Sequence, residues 1–206
     1  MPAKTPAVPH IILDDFLPDD LHNGILAHVL AVEDFAPGRV ISQGQSDYRP
    51  DLRKGHLSND RLGEHLPPFK AALRQAYGAI CPAVGMTPFE LAEIEIRLAA
   101  HTHGDFFSPH RDTMTGADRE HQRYDRMITA VYYFHRQPKG FTGGELLIHG
   151  FSAEPPLAVD PRSNRLVAFP SMLLHEVTPV AVPGGTFADS RFSVSCWFDR
   201  HRPGQV

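Results

Sequence analysis

Cysteine is scarce in this sequence: the 206 residues include only Cys81 and Cys196. Two thiols form neither a disulfide framework nor a Cys-x-x-Cys zinc site, and they favour a reducing compartment. No apolar run is long enough to cross a bilayer, and the opening MPAKTPAVPH lacks the apolar stretch of a secretory signal. We therefore expect a cytoplasmic protein without a membrane segment.

A large excess of charge of one sign is also missing. The formal net charge is −4, so no overall field attracts nucleic acid or anionic lipid. The hydrophobic content of 42% is that of an ordinary globular protein, and no glycine-rich dinucleotide or phosphate motif occurs. Neither nucleic acid nor a membrane is an expected partner, and the oligomeric state stays open.

Two predicted helices precede a series of predicted strands. A short strand is expected over Ile11 to Phe16, followed by a helix in PDDLHNGILAHVLAVEDF with Asp19 or Asp20 as its cap. A second helix is expected from Pro67 to Cys81. In ELAEIEIRLAA the apolar period changes to two, and RMITAVYYFHR, GGELLIHG, NRLVAFPS, LLHEVTPV and RFSVSCWFDR are further strand candidates. This order predicts a mainly β protein whose helices pack on a β-sandwich or jelly roll.

Two polar stretches interrupt these elements. Residues 38–60 suit a long loop or a ragged hairpin, and loops of that length are often lids or binding loops. Residues 114–125 are interpreted as a solvated loop, with a border to a substrate cleft as the alternative.

The stretch HTHGDFFSPHRDT contains the pattern His-x-Asp twice, although chance alone gives roughly one such pair in a chain of this kind. In the first pair, His103 and Asp105 flank a glycine, which suits a turn. The second pair, His110 and Asp112, follows the extended segment DFFSP. Residues i and i+2 of a strand project to the same face, so a strand ending at Asp112 points an imidazole and a carboxylate at one ion.

A third ligand has to come from a distant strand. Two histidines and one carboxylate that leave adjacent positions open are typical of non-haem Fe(II) oxygenases. His175 in LLHEVTPV is the best candidate, and His149 at the end of LLIHG is its competitor. A hydrogen-bonded core histidine is the alternative interpretation of His175.

Arg191 begins the mostly apolar stretch RFSVSCWF, with Ser193 and Ser195 on the same face of the predicted strand. A guanidinium that points into a barrel needs an anion, and its planar fork matches a carboxylate. Pairing with Asp189 or Asp199 at a strand edge is the alternative.

The order HRD, LLHEV and RFS, with RMITAVYYF and GGELLI between them, resembles the 2-oxoglutarate- and Fe(II)-dependent oxygenases, most closely their prolyl-4-hydroxylase-like branch. The resemblance covers Glu93 to Phe198, whereas the first 90 residues match only in layout. It implies one oxygenase domain over residues 1–206. About 1–90 would supply helical support and a lid loop, and about 91–200 a double-stranded β-helix (jelly roll) core backed by two or more helices.

The resemblance also implies residue roles: His110, Asp112 and His175 bind Fe(II), and Arg191 holds the distal carboxylate of the cosubstrate 2-oxoglutarate. Further implied contacts are to the cosubstrate from Tyr133, Ser195 and Leu146 and to the substrate from Arg126. Ascorbate is an optional further cofactor. No catalytic residue is expected beyond the metal ligands.

The implied reaction hydroxylates a C–H bond and releases succinate and CO2, with a prolyl residue of a protein or peptide, or a small molecule, as the substrate. Two other classes stay open: a non-catalytic jelly-roll sensor of metal and carboxylate, and a zinc hydrolase or isomerase.

The chain departs from the family pattern at two places. Many members carry a tyrosine about ten residues before the first ligand histidine, where this chain has Ala100 or His101. The spacing from His175 to Arg191 is also long, and the segment 183–185 suggests a hairpin loop insertion.

Overall fold

The computed structural model describes residues 8–42, 45–120, 122–152 and 154–202. The described helices are α1 (Asp19–Ala31), α2 (Leu66–Ala83) and α3 (Gly116–Glu120), with 3-10 turns at Gly63–His65 and Phe187–Asp189. The described strands are β1 (Ile11–Leu13), β2 (Ala36–Pro37), β3 (Val40–Ser42), β4 (Gln45–Asp47), β5 (Arg53–Lys54), β6 (His56–Ser58), β7 (Leu91–His101), β8 (Phe106–His110), β9 (Tyr124–Phe134), β10 (Thr142–Gly143), β11 (Leu146–Ile148), β12 (Leu157–Val159), β13 (Arg165–Pro170), β14 (His175–Val177), β15 (Val180–Ala181) and β16 (Arg191–His201).

Two antiparallel sheets form the body of the molecule. The major sheet has the strand order β1-β13-β9-β16-β7-β6-β2, and the minor sheet has the order β12-β11-β14-β8-β5. Two small pairs, β10 with β15 and β3 with β4, complete the described strands. This arrangement confirms the predicted mainly β architecture with a jelly-roll core backed by helices.

The major sheet has one face against the helices and one face against the minor sheet. On the helix side, Phe69 of α2 packs with Tyr132 of β9 and Phe192 of β16 in one core cluster. On the other side, Val131 of β9 packs with Leu146 of the minor sheet in a second cluster. Each such large apolar side chain contributes about 1.5–3 kcal/mol when it is fully buried. The two cores hold the space between the sheets in a fixed shape.

Strand β16 carries different chemistry on its two faces because successive residues of a strand point in opposite directions. Phe192 and its alternate neighbours join the helix-side core. Arg191, Ser193, Ser195 and Trp197 instead line a cavity between the sheets. The polar side of this strand is therefore available for a ligand.

Residues 38–60 form strands that join the two sheets. The predicted ragged hairpin is found as the pairing of β3 with β4, although the tip, residues 43 and 44, lies outside the described residues. After it, β5 pairs with β8 of the minor sheet and β6 pairs with β7 of the major sheet. This segment therefore closes one side of the cavity.

Several predicted boundaries were wrong. Helix α1 has Pro18 at its N-cap and no side-chain cap, so Asp19 and Asp20 are its first residues, where their charge favours the helix dipole. The first strand ends at Leu13 rather than Phe16, since Asp15 takes a positive φ of 50° and turns the chain.

The other two loops also differ in detail from the predictions. Residues 114–125 contain α3 and the first residues of β9. The segment 183–185, which was predicted as a hairpin insertion, lies between β15 and β16, and these two strands do not pair with each other. Strand β15 pairs with β10, and β16 pairs with β7 and β9. No described helix combines the length and the apolar character that crossing a lipid bilayer requires.

Candidate metal centre and cosubstrate pocket

Three of the predicted ligands converge between two neighbouring strands of the minor sheet. His110 at the end of β8 stands opposite His175 at the start of β14, with ring centres 4.2 Å apart. Asp112 follows two residues later, where its backbone N–H donates to the carbonyl of Ser171. Potential ligand atoms of the three side chains all lie within 4.8 Å of one another. Their close approach, from sequence positions far apart, is what a three-residue metal site requires.

Backbone carbonyls fix the tautomer of both histidines. His110 Nδ1 lies 2.9 Å from the carbonyl oxygen of Ser108, and His175 Nδ1 lies 3.0 Å from that of Leu173. A carbonyl oxygen can only accept, so each Nδ1 carries the proton and each Nε2 keeps a free lone pair. These Nε2 atoms lie 3.7 and 3.5 Å from the Asp112 carboxylate. Burial, with His175 beside it, lowers the pKa of His110 to about 4, so this ligand is neutral at neutral pH.

Two side chains of the major sheet hold the Asp112 carboxylate. Its Oδ2 accepts hydrogen bonds from Trp197 Nε1 at 2.9 Å and from the Thr129 hydroxyl at 2.8 Å. Burial alone would raise the pKa of Asp112, but the neighbouring histidines and these two donors together lower it. The carboxylate is therefore ionised at neutral pH, with Oδ1 turned toward His110.

The local geometry differs from the predicted one. Strand β8 ends at His110, so Asp112 lies beyond the strand rather than at its last position. His175 is the first residue of β14 rather than an interior one. The pairing of β14 with β8 shifts in register between His175 and Val177, so that His175 is opposite His110 and Val177 is opposite Phe107.

The competing histidines make other contacts. In the first His-x-Asp pair, Asp105 accepts from the backbone N–H of Thr102 at 2.7 Å, and His103 Nδ1 accepts from the N–H of Val182 at 3.2 Å. This pair therefore stabilises a turn. His149 Nε2 lies 3.0 Å from the Glu176 carboxylate, outside the three-residue cluster.

A cavity of about 430 Å³ opens over the three side chains, and Arg191 lies in its wall. The Arg191 side chain is 2% exposed, its Nε donates to the carbonyl of Gly144 at 2.8 Å, and its Nη1 lies 3.4 Å from the Ser193 hydroxyl. Asp189 pairs with Arg136 instead, and no described carboxylate pairs with Arg191. The alternative of a strand-edge ion pair with Asp189 or Asp199 is therefore wrong, and a buried cation lacks an anion.

Gly144 makes room for this guanidinium. The glycine has a φ of 73°, and a Cβ at this position would lie 2.6 Å from Arg191 Cδ. A side chain here would be strained and would push the arginine out of place.

Two further polar atoms beside Arg191 have no partner within the described residues: the Tyr133 hydroxyl and His101 Nε2. The Arg191 guanidinium lies 4.9 Å from the Tyr133 ring centre, and its Nη1 lies 3.4 Å from His101 Nδ1. Since the guanidinium can only donate, His101 Nδ1 accepts and Nε2 carries the proton. Burial raises the pKa of Tyr133 to about 12, which keeps its hydroxyl protonated. A buried guanidinium without a paired anion, beside a buried hydroxyl without a partner, fits one carboxylate.

Of the two residues at the position of the usual family tyrosine, only one faces the cavity. Ala100 packs into the helix-side core, whereas His101 lines the cavity and is 4% exposed. His101 therefore supplies the polar group on this wall.

The remaining predicted contacts also lie at the cavity. Ser195 and Leu146 line it. Arg126 lines it from within β9. Its Nη2 donates to Glu95 at 2.8 Å, and its guanidinium stacks 3.9 Å from the Trp197 ring centre.

The sequence prediction missed three residues at the site. Trp197 and Thr129 donate hydrogen bonds to Asp112. Trp197 lies on the same face of its strand as Arg191, and Thr129 lies on the same face as Tyr133. The period of two could therefore have identified both residues. Arg53 lines the cavity from the short strand β5, and its polar surroundings in sequence give no such signal.

Comparisons with known proteins agree with this fold. The family model of the 2OG-Fe(II) oxygenase superfamily matches residues 96–199, a range that contains the three candidate ligands and the donors around Arg191. A PKHD-type hydroxylase of Synechocystis sp., itself uncharacterized, is 34% identical over 148 residues, 66% of this chain and 47% of the relative. The chain thus spans about half the length of the curated relative that it matches.

Solved structures of two prolyl hydroxylases have a similar fold. A prolyl-4-hydroxylase of Pseudomonas putida superposes with a TM-score of 0.68 and 26% identity, covering 95% of this chain and 94% of that one. A Trichoplax adhaerens prolyl hydroxylase, solved with a peptide of hypoxia inducible factor, superposes with a TM-score of 0.71 and 17% identity over 93% and 83% of the two chains. This second likeness shows the shared fold.

The fold is that of a jelly-roll oxygenase, and the candidate metal centre combines two histidines with one carboxylate. The chain belongs to the 2OG-Fe(II) oxygenase superfamily, and its relatives place it in the prolyl-4-hydroxylase-like branch.

Proposed function

We propose that this chain is an Fe(II)- and 2-oxoglutarate-dependent hydroxylase. One observation carries the proposal: the His110, Asp112 and His175 cluster and the unpaired Arg191 face the same cavity. Nε2 of the two histidines and Oδ1 of Asp112 would hold the metal. A bound Fe(II) ion would supply the oxygen activation that couples decarboxylation of 2-oxoglutarate to hydroxylation.

The protein's own residues bind and orient the reactants. Arg191, Tyr133 and His101 would donate hydrogen bonds to the distal carboxylate of 2-oxoglutarate, and Ser195 lines the same wall. Leu146, which is 2% exposed, would pack against its methylene groups. Because these donors are buried, their hydrogen bonds to an anion are stronger than in water. No further side chain has to move a proton, so the residues that matter are the ligands and the carboxylate donors.

A prolyl residue of a peptide or protein is one substrate class, and a small molecule is the other. The Pseudomonas putida structure is named as a prolyl-4-hydroxylase, which supports the prolyl class. Arg126 would contact the substrate from the wall beside Trp197. The use of ascorbate, the cytoplasmic location and the single domain over residues 1–206 stay predictions.

The donor cluster around Arg191 favours this function over the other two classes. A zinc hydrolase or isomerase needs no dicarboxylate cosubstrate, and a sensor would bind 2-oxoglutarate without consuming it. Turnover of the cosubstrate therefore separates the three.

The test measures succinate formed from 2-oxoglutarate with Fe(II) and oxygen, with and without candidate prolyl peptides, which are also examined for a mass gain of one oxygen atom. We expect the wild type to form succinate and His175→Ala to lose at least about 100-fold in rate, because a metal ligand is gone. His149→Ala is the matched control, since that histidine pairs with Glu176 and should keep the rate. Wild-type succinate formation by His175→Ala would contradict the proposal, and binding without turnover by the wild type would favour the sensor.

A further inference from the structure

The cavity contains a second unpaired guanidinium, that of Arg53. Its Nε atom is buried and has no hydrogen-bond partner within the described residues. Its guanidinium carbon lies 4.5 Å from the ring centre of Phe107. Gly38 has no side chain and so leaves room for Arg53 Nε, because a Cβ at position 38 would lie 3.0 Å from that atom. The arginine is thus held by packing and not by an anion.

The pairing of strands fixes where Arg53 stands relative to the candidate metal site. Arg53 is opposite Phe107, Phe107 is opposite Val177, and Val177 is opposite Leu146, so these four residues form one row across the minor sheet. His110 and His175 form a neighbouring row. All four residues of the first row line the cavity. Arg53 therefore reaches the cavity from the opposite end of the row to Leu146, beside the strand that carries His110.

The other arginines of the cavity wall, apart from Arg191, already have partners. These partners are Ser46 for Arg39, Asp51 for Arg49, Glu95 for Arg97 and Arg126, and the Met172 carbonyl for Arg111. In the described part of the chain, Arg53 has no such contact. Arg39 and Arg111 bind neutral oxygens, as Arg191 does at Gly144, so Arg53 is the cavity arginine that has no hydrogen-bond acceptor in the described part of the chain.

The charges around Arg53 favour an added anion. Burial, with Arg97 nearby, lowers the pKa of Arg53 to about 10, so the group is still charged at neutral pH. The charge of Asp112 stabilises the charged form of Arg53, but Asp112 is one of the three candidate metal ligands. A partly buried charge without a partner is costly, and a carboxylate beside Arg53 would offset both the burial and the repulsion from Arg97.

We propose that Arg53 binds a free carboxylate of the substrate, so that the enzyme acts on a carboxylate-bearing molecule such as an amino acid or the acidic end of a peptide. The inference rests on the proposed function, in which Arg191 takes the distal carboxylate of 2-oxoglutarate and the metal centre takes its other end. The fork of Arg53 is then left for a third anionic group, and a guanidinium matches a carboxylate with two parallel hydrogen bonds.

The test uses protein loaded with Mn(II) and saturated with 2-oxoglutarate in the absence of oxygen. The probes are N-acetyl-L-amino acids, proline among them, each paired with its neutral amide. Binding is followed by the fluorescence of Trp197, which is the one tryptophan of the sequence and lines the cavity. We expect at least one carboxylate to bind roughly tenfold more tightly than its amide, the ratio that 1.4 kcal/mol gives.

Arg53→Gln should remove this preference and leave 2-oxoglutarate affinity within about twofold of the wild type. Arg53→Lys keeps the charge without the fork and should retain part of the preference, and its thermal unfolding shows whether the fold tolerates a change at this position. Arg49→Gln is the matched control, because that arginine is paired with Asp51 at 2.7 Å and should keep the full preference.

Three outcomes would overturn the inference. The wild type shows no preference for any carboxylate, or the preference survives in Arg53→Gln, or that variant loses 2-oxoglutarate affinity instead, which would make Arg53 a cosubstrate residue. Failure of the proposed function is seen separately, as a wild-type protein that does not bind 2-oxoglutarate with Mn(II).

Discussion

Asp112 is the residue on which the polar contacts of the candidate metal centre converge. One of its oxygens accepts hydrogen bonds from Trp197 and Thr129, while the other faces His110. Since the two donors come from the major sheet and the histidines come from the minor sheet, the carboxylate joins the two halves of the jelly roll. Partners of this kind orient a ligand and tune its affinity for the metal.

Trp197→Phe tests this role at the scale of one residue. The phenyl ring can still pack against Arg126, but the N–H that donates to Asp112 is lost. We expect the affinity for Mn(II), titrated without oxygen, to fall about tenfold, because loss of such a supporting hydrogen bond typically costs about 10–100-fold. Thr129→Ser is the control, since it keeps the hydroxyl and should change the affinity little. Wild-type affinity in Trp197→Phe would show that the indole N–H does not support the site.

At the scale of elements, the alternation of residues made much of the molecule predictable. In β7 and β16, one apolar face meets the helix-side core and the period of two is therefore visible in the sequence. Strands β9 and β13 have apolar residues on both faces, one toward each core, and were recognised as apolar runs. The alternation in β16 placed Ser193 and Ser195 on the face of Arg191, and all three line the cavity. Tyr133 was named from the family resemblance, and it packs in the core cluster between the sheets. The helices were found from their apolar stripes, to within a few residues at each end.

Other elements depend on pairing between distant segments and could not be predicted. The register shift that places Phe107 and His110 opposite β14 arises only when β8 and β14 meet. Strand β5 is two residues long and owes its conformation to β8, so nothing local identified Arg53. The cap of α1 was predicted from the presence of an acidic residue, whereas the chain enters the helix through Pro18.

At the scale of the whole molecule, several histidines are buried as neutral groups. Burial lowers the pKa of His22 and His135, and it lowers the pKa of His101 well below its ordinary value. In the unfolded chain these histidines take up protons near about pH 6.5. Below that pH the unfolded state therefore binds more protons than the folded state, and stability is lost as the pH falls. Asp199 acts in the opposite direction, because burial raises its pKa to about 7.

We expect the free energy of unfolding of the metal-free protein to fall by about 2 kcal/mol between pH 7 and pH 5. A tenfold difference in proton affinity between the folded and unfolded states corresponds to about 1.4 kcal/mol, and the buried histidines outnumber the one opposing carboxyl group. Urea unfolding at the two pH values measures this difference. His101→Asn should reduce it, because that variant removes one of the buried imidazoles. A protein that is equally stable or more stable at pH 5 would contradict the prediction.

The central claim is that His110, Asp112 and His175 hold the metal while Arg191 holds the distal carboxylate of 2-oxoglutarate. A crystal structure with Mn(II) and 2-oxoglutarate, grown without oxygen, tests it most directly. We predict Mn(II) within about 2.0–2.3 Å of both Nε2 atoms and of an Asp112 oxygen, with the distal carboxylate on the Arg191 fork. A metal bound elsewhere, or a cosubstrate carboxylate that does not contact Arg191, would contradict the claim.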